Sequence, residues 1–180
     1  MFTCVNPKII NLVEVPCGSC YNCQMRKRAE WDFRLLVESL YSKDSLFLTL
    51  TYDNDHLEDL NKRTLQLWFK SLRNAGLKFK YYAVGEYGER SGRQHYHVLL
   101  FIKSYSDVIP YPELIPQNWA LGMADIGSVT PASIHYVTKW HISPKYPKGK
   151  KLSCTDLHCN QKNLDSITLK VLQLTISSLL

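Results

Sequence analysis

The sequence has no long hydrophobic run. No apolar stretch approaches the roughly 18 to 20 residues that a membrane-spanning helix needs, and residues 1–7 lack the basic and then apolar pattern of a signal peptide. These absences exclude a membrane-spanning helix and a recognisable secretion signal. They predict a soluble protein that stays in the cytosol.

Aromatic residues are missing from the end of the chain. Every Trp, Tyr and Phe lies at or before Tyr146, although a packed segment normally contributes some of these side chains to the core. Residues 164–180 are rich in Leu, Ile and Ser and fit a helix or a strand. We predict that residues 147–180 form an atypical tail, truncated or disordered, and we assign no role to its Cys154, His158 and Cys159.

The six cysteines do not indicate a disulfide framework, because thiols stay reduced in the cytosol. Four of them, Cys4, Cys17, Cys20 and Cys23, supply enough thiolates for a tetrahedral structural zinc site. Three closely spaced cysteines with a distant fourth can also bind an iron–sulfur cluster. Zinc is the favoured interpretation, and the iron–sulfur cluster and reduced thiols without a metal stay open as alternatives.

Basic residues outnumber acidic ones. The chain of 180 residues has 22 Lys and Arg against 16 Asp and Glu, a formal charge of +6 and a pI near 9.0. This balance favours an anionic partner such as nucleic acid, although a solvated basic surface explains the charge equally well. The length suits one hydrophobic core. We divide the chain into a Cys-rich segment and helix (1–44), a core (45–146) and the tail (147–180).

Hydrophobic periodicity predicts an α+β fold. The first helix should bury a face that bears Ala29, Phe33, Leu36, Val37 and Leu40. We expect an antiparallel sheet of four to five strands with helices packed mainly on one face, similar to the ferredoxin-like split βαβ layout. The predicted helices are Arg26–Tyr41, Leu60–Ala75, Tyr111–Ala120 and one capped by Thr130; the predicted strands are Ser45–Tyr52, Phe79–Gly85, Gln94–Ile102 and Gly122–Val129.

His95-Tyr96-His97 begins an apolar strand. Side chains alternate in a strand, so His95 and His97 point to one face of the sheet. Neutral imidazole is a common ligand of divalent metals. Glu86 ends the preceding strand, and hairpin pairing would bring its carboxylate to the two histidines as a third ligand. The alternative is two ordinary histidines that are satisfied by hydrogen bonds.

Tyr136 and Lys139 are three residues apart on the last predicted helix, so both project from one face. A phenol is a poor nucleophile at neutral pH, but a nearby metal and an ammonium favour its phenolate and stabilise charge on a phosphoryl group. The pair therefore suits attack on a phosphate. The alternative is ordinary, since Tyr and Lys are common near the end of an amphipathic helix.

Arg26, Lys27 and Arg28 follow the cysteine cluster directly and are candidates for contacts to DNA phosphates. Trp31 could stack on a base, but a place in the core is the favoured interpretation of this residue. A solvated basic helix is likewise the favoured interpretation of the three basic residues, and DNA contact is the alternative.

Taken together, these segments resemble the replication initiators of small single-stranded DNA bacteriophages, the microvirus and gokushovirus group within the HUH endonucleases. The resemblance covers roughly residues 4–145, and its motifs occur in the order of that family. The matching segments are residues 16–23 with 26–31, residues 47–53 (Phe-Leu-Thr-Leu-Thr-Tyr-Asp), residues 85–88 (Gly-Glu-Tyr-Gly) with 93–101 (Arg-Gln-His-Tyr-His-Val-Leu-Leu-Phe), and residues 136–139 (Tyr-Val-Thr-Lys).

The resemblance implies a ferredoxin-like HUH fold and nicking of a phage replication origin in single-stranded DNA. Tyr136 would be the nucleophile, leaving a 5′-phosphotyrosine link and a free 3′-OH primer for rolling-circle synthesis, and Lys139 would assist electrostatically. Glu86, His95 and His97 would hold Mg²⁺ or Mn²⁺. The implied partners are origin DNA and host replication proteins in the cytoplasm of the bacterial host.

Two further points follow from the motifs. Arg93, within the second motif, joins Arg26, Lys27 and Arg28 as an expected DNA-binding residue. Some members of the class have two tyrosines one helical turn apart, but Ala132 stands four residues before Tyr136, so a single nucleophile is expected.

Two other functions are compatible with the sequence. One is a single-tyrosine transposase of the same HUH class, which the N-terminal cysteines and the Gly-Glu-Tyr-Gly segment disfavour. The other is a non-catalytic module for single-stranded nucleic acid, in which Tyr52, Tyr82 and Tyr96 would stack bases on an exposed sheet face without a metal.

Overall fold

The computed structural model describes residues 3–88, 91–105 and 110–139. The predicted tail, with Cys154, His158 and Cys159, lies outside these residues, and the division into three segments stays a prediction. Among the described residues, no helix is both long and apolar enough to cross a membrane. In chain order the elements are β1 (Lys8–Ile10), β2 (Val13–Val15), α1 (Tyr21–Leu40), β3 (Asp44–Tyr52), α2 (Lys62–Asn74), β4 (Lys78–Tyr87), β5 (Gln94–Ser104), α3 (Tyr111–Asn118), β6 (Gly122–Ser128) and α4 (Pro131–Thr138).

The main sheet has four strands in the order β4-β5-β3-β6, and every neighbouring pair is antiparallel. The connection β3-α2-β4-β5-α3-β6 is the βαββαβ arrangement of ferredoxin-like folds. The predicted α+β class and its layout are therefore confirmed. A separate hairpin of β1 and β2 precedes α1 and was not predicted.

Helices cover both faces of this sheet. On one face, α2 and α3 bury residues such as Trp68 and Ile115 against Leu48 and Leu100. On the other face lie α1 and α4, and the second core contains Trp31, Leu35, Tyr82, Val84, Leu99, Phe101, Ile134 and Val137. The expectation that helices pack mainly on one face is thus wrong. The physical reason is that β4 and β5 carry apolar side chains on both faces, so each face needs a cover.

The buried face of α1 also differs from the predicted one. Trp31, Leu35 and Glu38 point inward, whereas Phe33 and Leu40 are exposed, as are Ala29 and Leu36; of the predicted face, only Val37 is buried. Glu38 is an acidic residue inside the core and forms an ion pair with Lys80, with Nζ 2.9 Å from Oε2. A hydrophobic pattern cannot detect a buried charge that is neutralised by a partner from another element.

The start of α4 follows the predicted capping. The hydroxyl of Thr130 accepts a hydrogen bond from the Ser133 amide at 3.1 Å, and the Ser133 hydroxyl accepts one from the Thr130 amide at 2.8 Å. Pro131 occupies the first turn, where its missing N–H has no cost. These contacts fix where α4 begins and therefore which of its residues face the sheet.

Candidate functional site

The two strands β4 and β5 bring the predicted metal ligands together. Glu86 lies directly opposite His95 in the antiparallel register, which confirms the predicted hairpin pairing, and His97 is two residues further along the same face. One carboxylate oxygen and one nitrogen of each imidazole all lie within 4.8 Å of one another. Glu86, His95 and His97, hereafter the Glu-His-His triad, thus converge on one point.

A hydrogen bond fixes the tautomer of His95. Its Nδ1 lies 3.2 Å from the carbonyl oxygen of Arg93. A carbonyl only accepts, so Nδ1 must carry the hydrogen and, in the neutral ring, Nε2 keeps its lone pair. This Nε2 lies 3.9 Å from Oε2 of Glu86. A backbone partner of this kind is how proteins orient a histidine that ligates a metal.

His97 gives the strongest indication of a cation site. Its Nε2 is buried, lies 3.6 Å from Oε2 of Glu86 and has no hydrogen-bond partner among the described residues. Burial lowers the pKa of His97 from 6.5 to about 4, so the ring is neutral at physiological pH. A buried polar atom without a partner is unfavourable. A metal ion bound to this lone pair would satisfy it.

The surroundings of His97 hold the ring in place. On one side, Nδ1 lies 3.2 Å from the hydroxyl of Thr49, and the ring stacks on Phe47 with centroids 5.4 Å apart and planes 12° apart. If Nδ1–H donates to Thr49, Nε2 is the free ligand atom. Two imidazoles and one carboxylate form a donor set that suits a divalent ion, because imidazole favours first-row metals and carboxylate also binds Mg²⁺ and Mn²⁺.

Tyr136 reaches this site from α4. Its hydroxyl donates to Oε2 of Glu86 at 3.0 Å, and its ring meets the ring of His97 edge to face at 5.1 Å. The side chain remains 40% exposed, which leaves it accessible to a polymer substrate. Burial is the largest effect on Tyr136 and raises its pKa, so the phenol is protonated at neutral pH.

Lys139 lies against the same two side chains. Its Nζ is 3.3 Å from Oε1 of Glu86 and 3.7 Å from the centre of the Tyr136 ring. The ammonium opposes the effect of burial and lowers the pKa of Tyr136. The predicted pair therefore does project from one face of α4, and that face meets the Glu-His-His triad.

The predicted DNA-binding residues differ in their exposure and in their hydrogen-bond partners. Arg26 and Lys27 are exposed on α1, whereas Arg28 donates to α4, to the His135 carbonyl at 2.6 Å. Arg93 lies beside the site, where its Nε donates to the Tyr52 carbonyl at 3.0 Å and an Nη donates to Oδ1 of Asn54 at 2.9 Å.

Base stacking on the predicted aromatic residues is excluded. Tyr52 is 1% exposed, Tyr82 is 3% exposed and Tyr96 is fully buried. The hydroxyls of Tyr52 and Tyr96 lie 3.1 Å apart inside the core. Trp31 is also in the core, as the favoured interpretation expected. The reason is that helices cover both sheet faces: Tyr52 and Tyr96 lie in the core formed with α2 and α3, and Tyr82 lies in the core formed with α1 and α4.

Sequence reasoning missed two features around the site. Alternation along β3 puts Thr49 on the face opposite Leu48, and strand pairing sets it across from His97, so the period-two pattern contained the signal. Asp32 was not singled out. It contacts α4 through His135 and Thr138, a contact between residues about one hundred positions apart that no local pattern reveals.

The four cysteines also converge, in a second group that we call the four-cysteine centre. The Sγ atoms of Cys4, Cys17, Cys20 and Cys23 lie within 4.8 Å of one another, and all four are free thiols. Those of Cys4 and Cys20 are 3.9 Å apart. A tetrahedral zinc site with Zn–S bonds of about 2.3 Å has edges of about 3.8 Å, so this spacing fits zinc.

Backbone amides favour thiolates in the four-cysteine centre. The Cys20 amide donates to Sγ of Cys17 at 3.3 Å, and the Cys17 amide donates to Sγ of Cys4 at the same distance. The first of these bonds is the main reason why the pKa of Cys17 falls to about 5. Burial instead raises the pKa of Cys23 to about 11, so this thiol ionises only when a positive charge is beside it. A cation among the four sulfurs would supply that charge.

Comparisons with known proteins agree with the resemblance. The chain is 32% identical over 147 residues to the replication-associated protein VP4 of Bdellovibrio phage phiMH2K, covering 69% of this chain and 47% of that protein. It is 29% identical over 157 residues to the replication-associated protein ORF4 of Chlamydia phage 1, covering 75% of this chain and 39% of that protein. The chain therefore matches less than half the length of each relative. No solved structure gives a significant match.

The decisive match is to a family model. Residues 45–143, from β3 to beyond α4, match the model of the replication-associated protein ORF2 family. This range contains the Glu-His-His triad, Tyr136 and Lys139. The predicted resemblance to phage replication initiators is confirmed, and the chain belongs to this family of replication-associated proteins.

Proposed function

We propose that this protein initiates rolling-circle replication of a single-stranded DNA phage, in the cytoplasm of its bacterial host, by nicking one strand at the origin. The observation that carries the proposal is the hydrogen bond of Tyr136 to Glu86, because it joins a nucleophile on α4 to a group of three metal ligands on the sheet. The relatives are named as replication-associated proteins of phages and a virus, which supports the biological context.

In the proposed reaction, the Tyr136 oxygen forms a bond to the phosphorus of the scissile phosphodiester and the bond from phosphorus to the 3′ oxygen breaks. The products are a 5′-phosphotyrosine and a 3′-OH, with the 3′ oxygen taking its proton from solvent. The phenolic hydrogen is already directed at Glu86, so this carboxylate is its first acceptor. Lys139 stabilises negative charge on the phenolate and on the phosphoryl oxygens.

The Glu-His-His triad would hold Mg²⁺ or Mn²⁺. An ion bound there would supply Lewis-acid polarisation of the phosphate and would add positive charge next to a phenol whose pKa burial has raised. This chain's own contribution is to keep both imidazoles oriented, through Arg93 and Thr49, and to keep Tyr136 beside them.

An open cleft of about 740 Å³ beside the site offers room for a strand of DNA. It lies at the end of β3 where Thr51 pairs with His95, and Arg93 is on its wall. We propose that Arg93, and at greater distance Arg26 and Lys27, contact the DNA backbone. Its remaining lining residues are Tyr52, Asp53, Asn54, Gly122 and Met123.

Covalent capture tests this function. The full chain is incubated with Mn²⁺ and a pool of single-stranded oligonucleotides that have a randomised centre and a 3′ label. A nick by Tyr136 attaches the labelled 3′ part to the protein. Tyr136→Phe should abolish the labelled adduct and leave oligonucleotide binding largely intact, whereas Tyr41→Phe, which changes an exposed tyrosine on α1's C-terminal side, should not reduce capture. Undiminished capture by Tyr136→Phe, or no adduct with the unmodified chain, sinks the proposal.

For the four-cysteine centre we propose structural zinc. Four thiolates without an open position fit a site that stabilises structure and performs no reaction. Metal analysis of protein purified without oxygen should give one zinc per chain and no visible absorption. Iron with inorganic sulfide would establish the cluster instead, and a metal-free protein with four titratable thiols would refute both.

A further inference from the structure

A group of polar side chains joins α1 to α4 on the side away from the Glu-His-His triad. Asp32 of α1 accepts a hydrogen bond from Nδ1 of His135 at 2.8 Å and another from the hydroxyl of Thr138. Arg28, one turn earlier on α1, donates to the His135 carbonyl at 2.6 Å and from Nε to the Thr138 hydroxyl at 3.4 Å. We call these four residues the α1–α4 clamp.

The clamp satisfies groups that the end of α4 leaves open. The carbonyl of His135 belongs to the last turn, where no intrahelical N–H is available, and the guanidinium of Arg28 both pairs with it and complements the negative end of the helix dipole. Thr138 is fully buried, so its hydroxyl needs a partner, which Asp32 supplies. Each contact therefore gives a hydrogen-bond partner to a polar group in the last turn of α4.

The clamp also helps to hold the rotation of α4, together with Ile134 and Val137, which are buried in the second core. Within one turn, His135 and Thr138 form one stripe and Tyr136 and Lys139 form the adjacent stripe. The first stripe faces α1, and the second faces Glu86. A helix of eight residues is too short to be stable alone, so its orientation depends on tertiary contacts of this kind.

We propose that Asp32 is a positioning residue for the nicking reaction, which rests on the function proposed above. By holding His135 and Thr138, it keeps Tyr136 aimed at the site where Glu86, His95 and His97 converge. Asp32 itself contacts neither metal ligands nor DNA in this assignment. Its loss should therefore slow the chemical step and leave both binding steps unchanged.

The test uses the full chain, Mn²⁺ and the oligonucleotide that the unmodified protein captures best from the pool. Asp32→Ala should reduce the single-turnover rate of adduct formation at saturating metal and DNA by about 10- to 100-fold, as expected for a displaced nucleophile. The affinities for Mn²⁺ and for the oligonucleotide should not change. The matched control is Glu30→Ala, which removes an exposed carboxylate of the same helix that pairs only loosely with Arg26, at 3.8 Å, and should capture at the normal rate.

A second pair of variants separates positioning from stability. Thr138→Val keeps the shape but lacks the hydroxyl and should slow capture, whereas Thr138→Ser keeps the hydroxyl and should restore it. A thermal midpoint measured for each variant ensures that rates are compared between folded proteins. Normal capture by both Asp32→Ala and Thr138→Val, or equal losses in Mn²⁺ affinity and rate, overturns the positioning role. Failure of the unmodified chain to form any adduct overturns the proposed nicking function, and the positioning role with it.

Discussion

The two groups of candidate metal ligands differ in what holds them. Glu86, His95 and His97 lie on adjacent strands of one sheet, so the ladder of backbone hydrogen bonds fixes their spacing. In the four-cysteine centre, Cys4 and Cys17 lie outside helices and strands, Cys20 caps α1 and only Cys23 lies inside it. The first group is therefore formed by the fold, whereas in the second the zinc that we propose would hold a loop, the N-terminal segment and a helix together.

They also differ in what surrounds them. The Glu-His-His triad has three donors, an exposed tyrosine and an ammonium, which is the composition expected of the catalytic site that we propose. The four-cysteine centre instead consists of four sulfur donors. The comparison indicates that loss of metal should abolish chemistry at the first centre and mainly weaken structure at the second.

The largest expected effect is at His97. His97→Ala removes the buried Nε2 atom that would bind the metal, and it should lower Mn²⁺-dependent capture by at least about 100-fold. The zinc content of the purified protein should stay unchanged, because that metal belongs to the other centre. Capture that persists without the imidazole would show that the triad does not hold the reactive metal. It would also refute the assignment of chemistry to the triad and of structure to the four-cysteine centre.

A smaller loss is expected at Lys139. Lys139→Met keeps the length of the side chain but removes the charge 3.7 Å from the Tyr136 ring, so capture should slow by about 10- to 100-fold at saturating Mn²⁺. Lys70→Met, which removes an exposed lysine of α2, is the control for loss of one positive charge. Similar losses in both variants would indicate general electrostatics in place of a local role for Lys139.

At the four-cysteine centre the main effect should be on stability. Cys20→Ala should remove the zinc and lower the thermal midpoint by roughly 5 to 10 °C, the shift that a loss of about 2 to 3 kcal/mol produces in a chain of this size. Capture should fall by about tenfold or less, since α1 carries the clamp but the sheet remains intact. Loss of all capture without a change in the midpoint would contradict a structural role and would assign chemistry to this centre.

How far the sequence predicted this molecule depends on how local each signal is. The period-two alternation of β5 placed His95 and His97 on one face, and hairpin pairing brought Glu86 to them, because register follows from short-range connection. Thr130 and Pro131 similarly predicted the start of α4. Each of these predictions depends only on residues that are adjacent in the sequence or joined by one turn.

Two of the missed features depend on distant partners, and a third lacks the usual turn residues. The buried face of α1 contains Glu38, whose charge is neutralised by Lys80 of β4. Hydrophobicity alone therefore predicted the wrong buried face for α1. The β1–β2 hairpin has strands of only three residues and turns through Asn11 and Leu12, both at positive φ, without the glycine that usually marks such a turn. The contact of Asp32 with α4 likewise exists only after both helices have packed on the same face.

The smallest effect is expected at Thr49, which touches the triad only through the Nδ1 of His97. Thr49→Val keeps the shape of the side chain and leaves Nδ1 without its partner, so Mn²⁺ should bind about tenfold more weakly, while the capture rate at saturating Mn²⁺ stays the same. The control is Thr64→Val on α2, since that hydroxyl donates to Oε1 of Glu58 at 2.7 Å and contacts neither the triad nor the cleft. Titration of capture against Mn²⁺ for both variants measures the difference. Equal Mn²⁺ affinity in the two variants would mean that packing against Phe47 alone orients His97, whereas a loss confined to Thr49→Val would show that the sheet positions the ligand through a hydrogen bond as well as through its backbone.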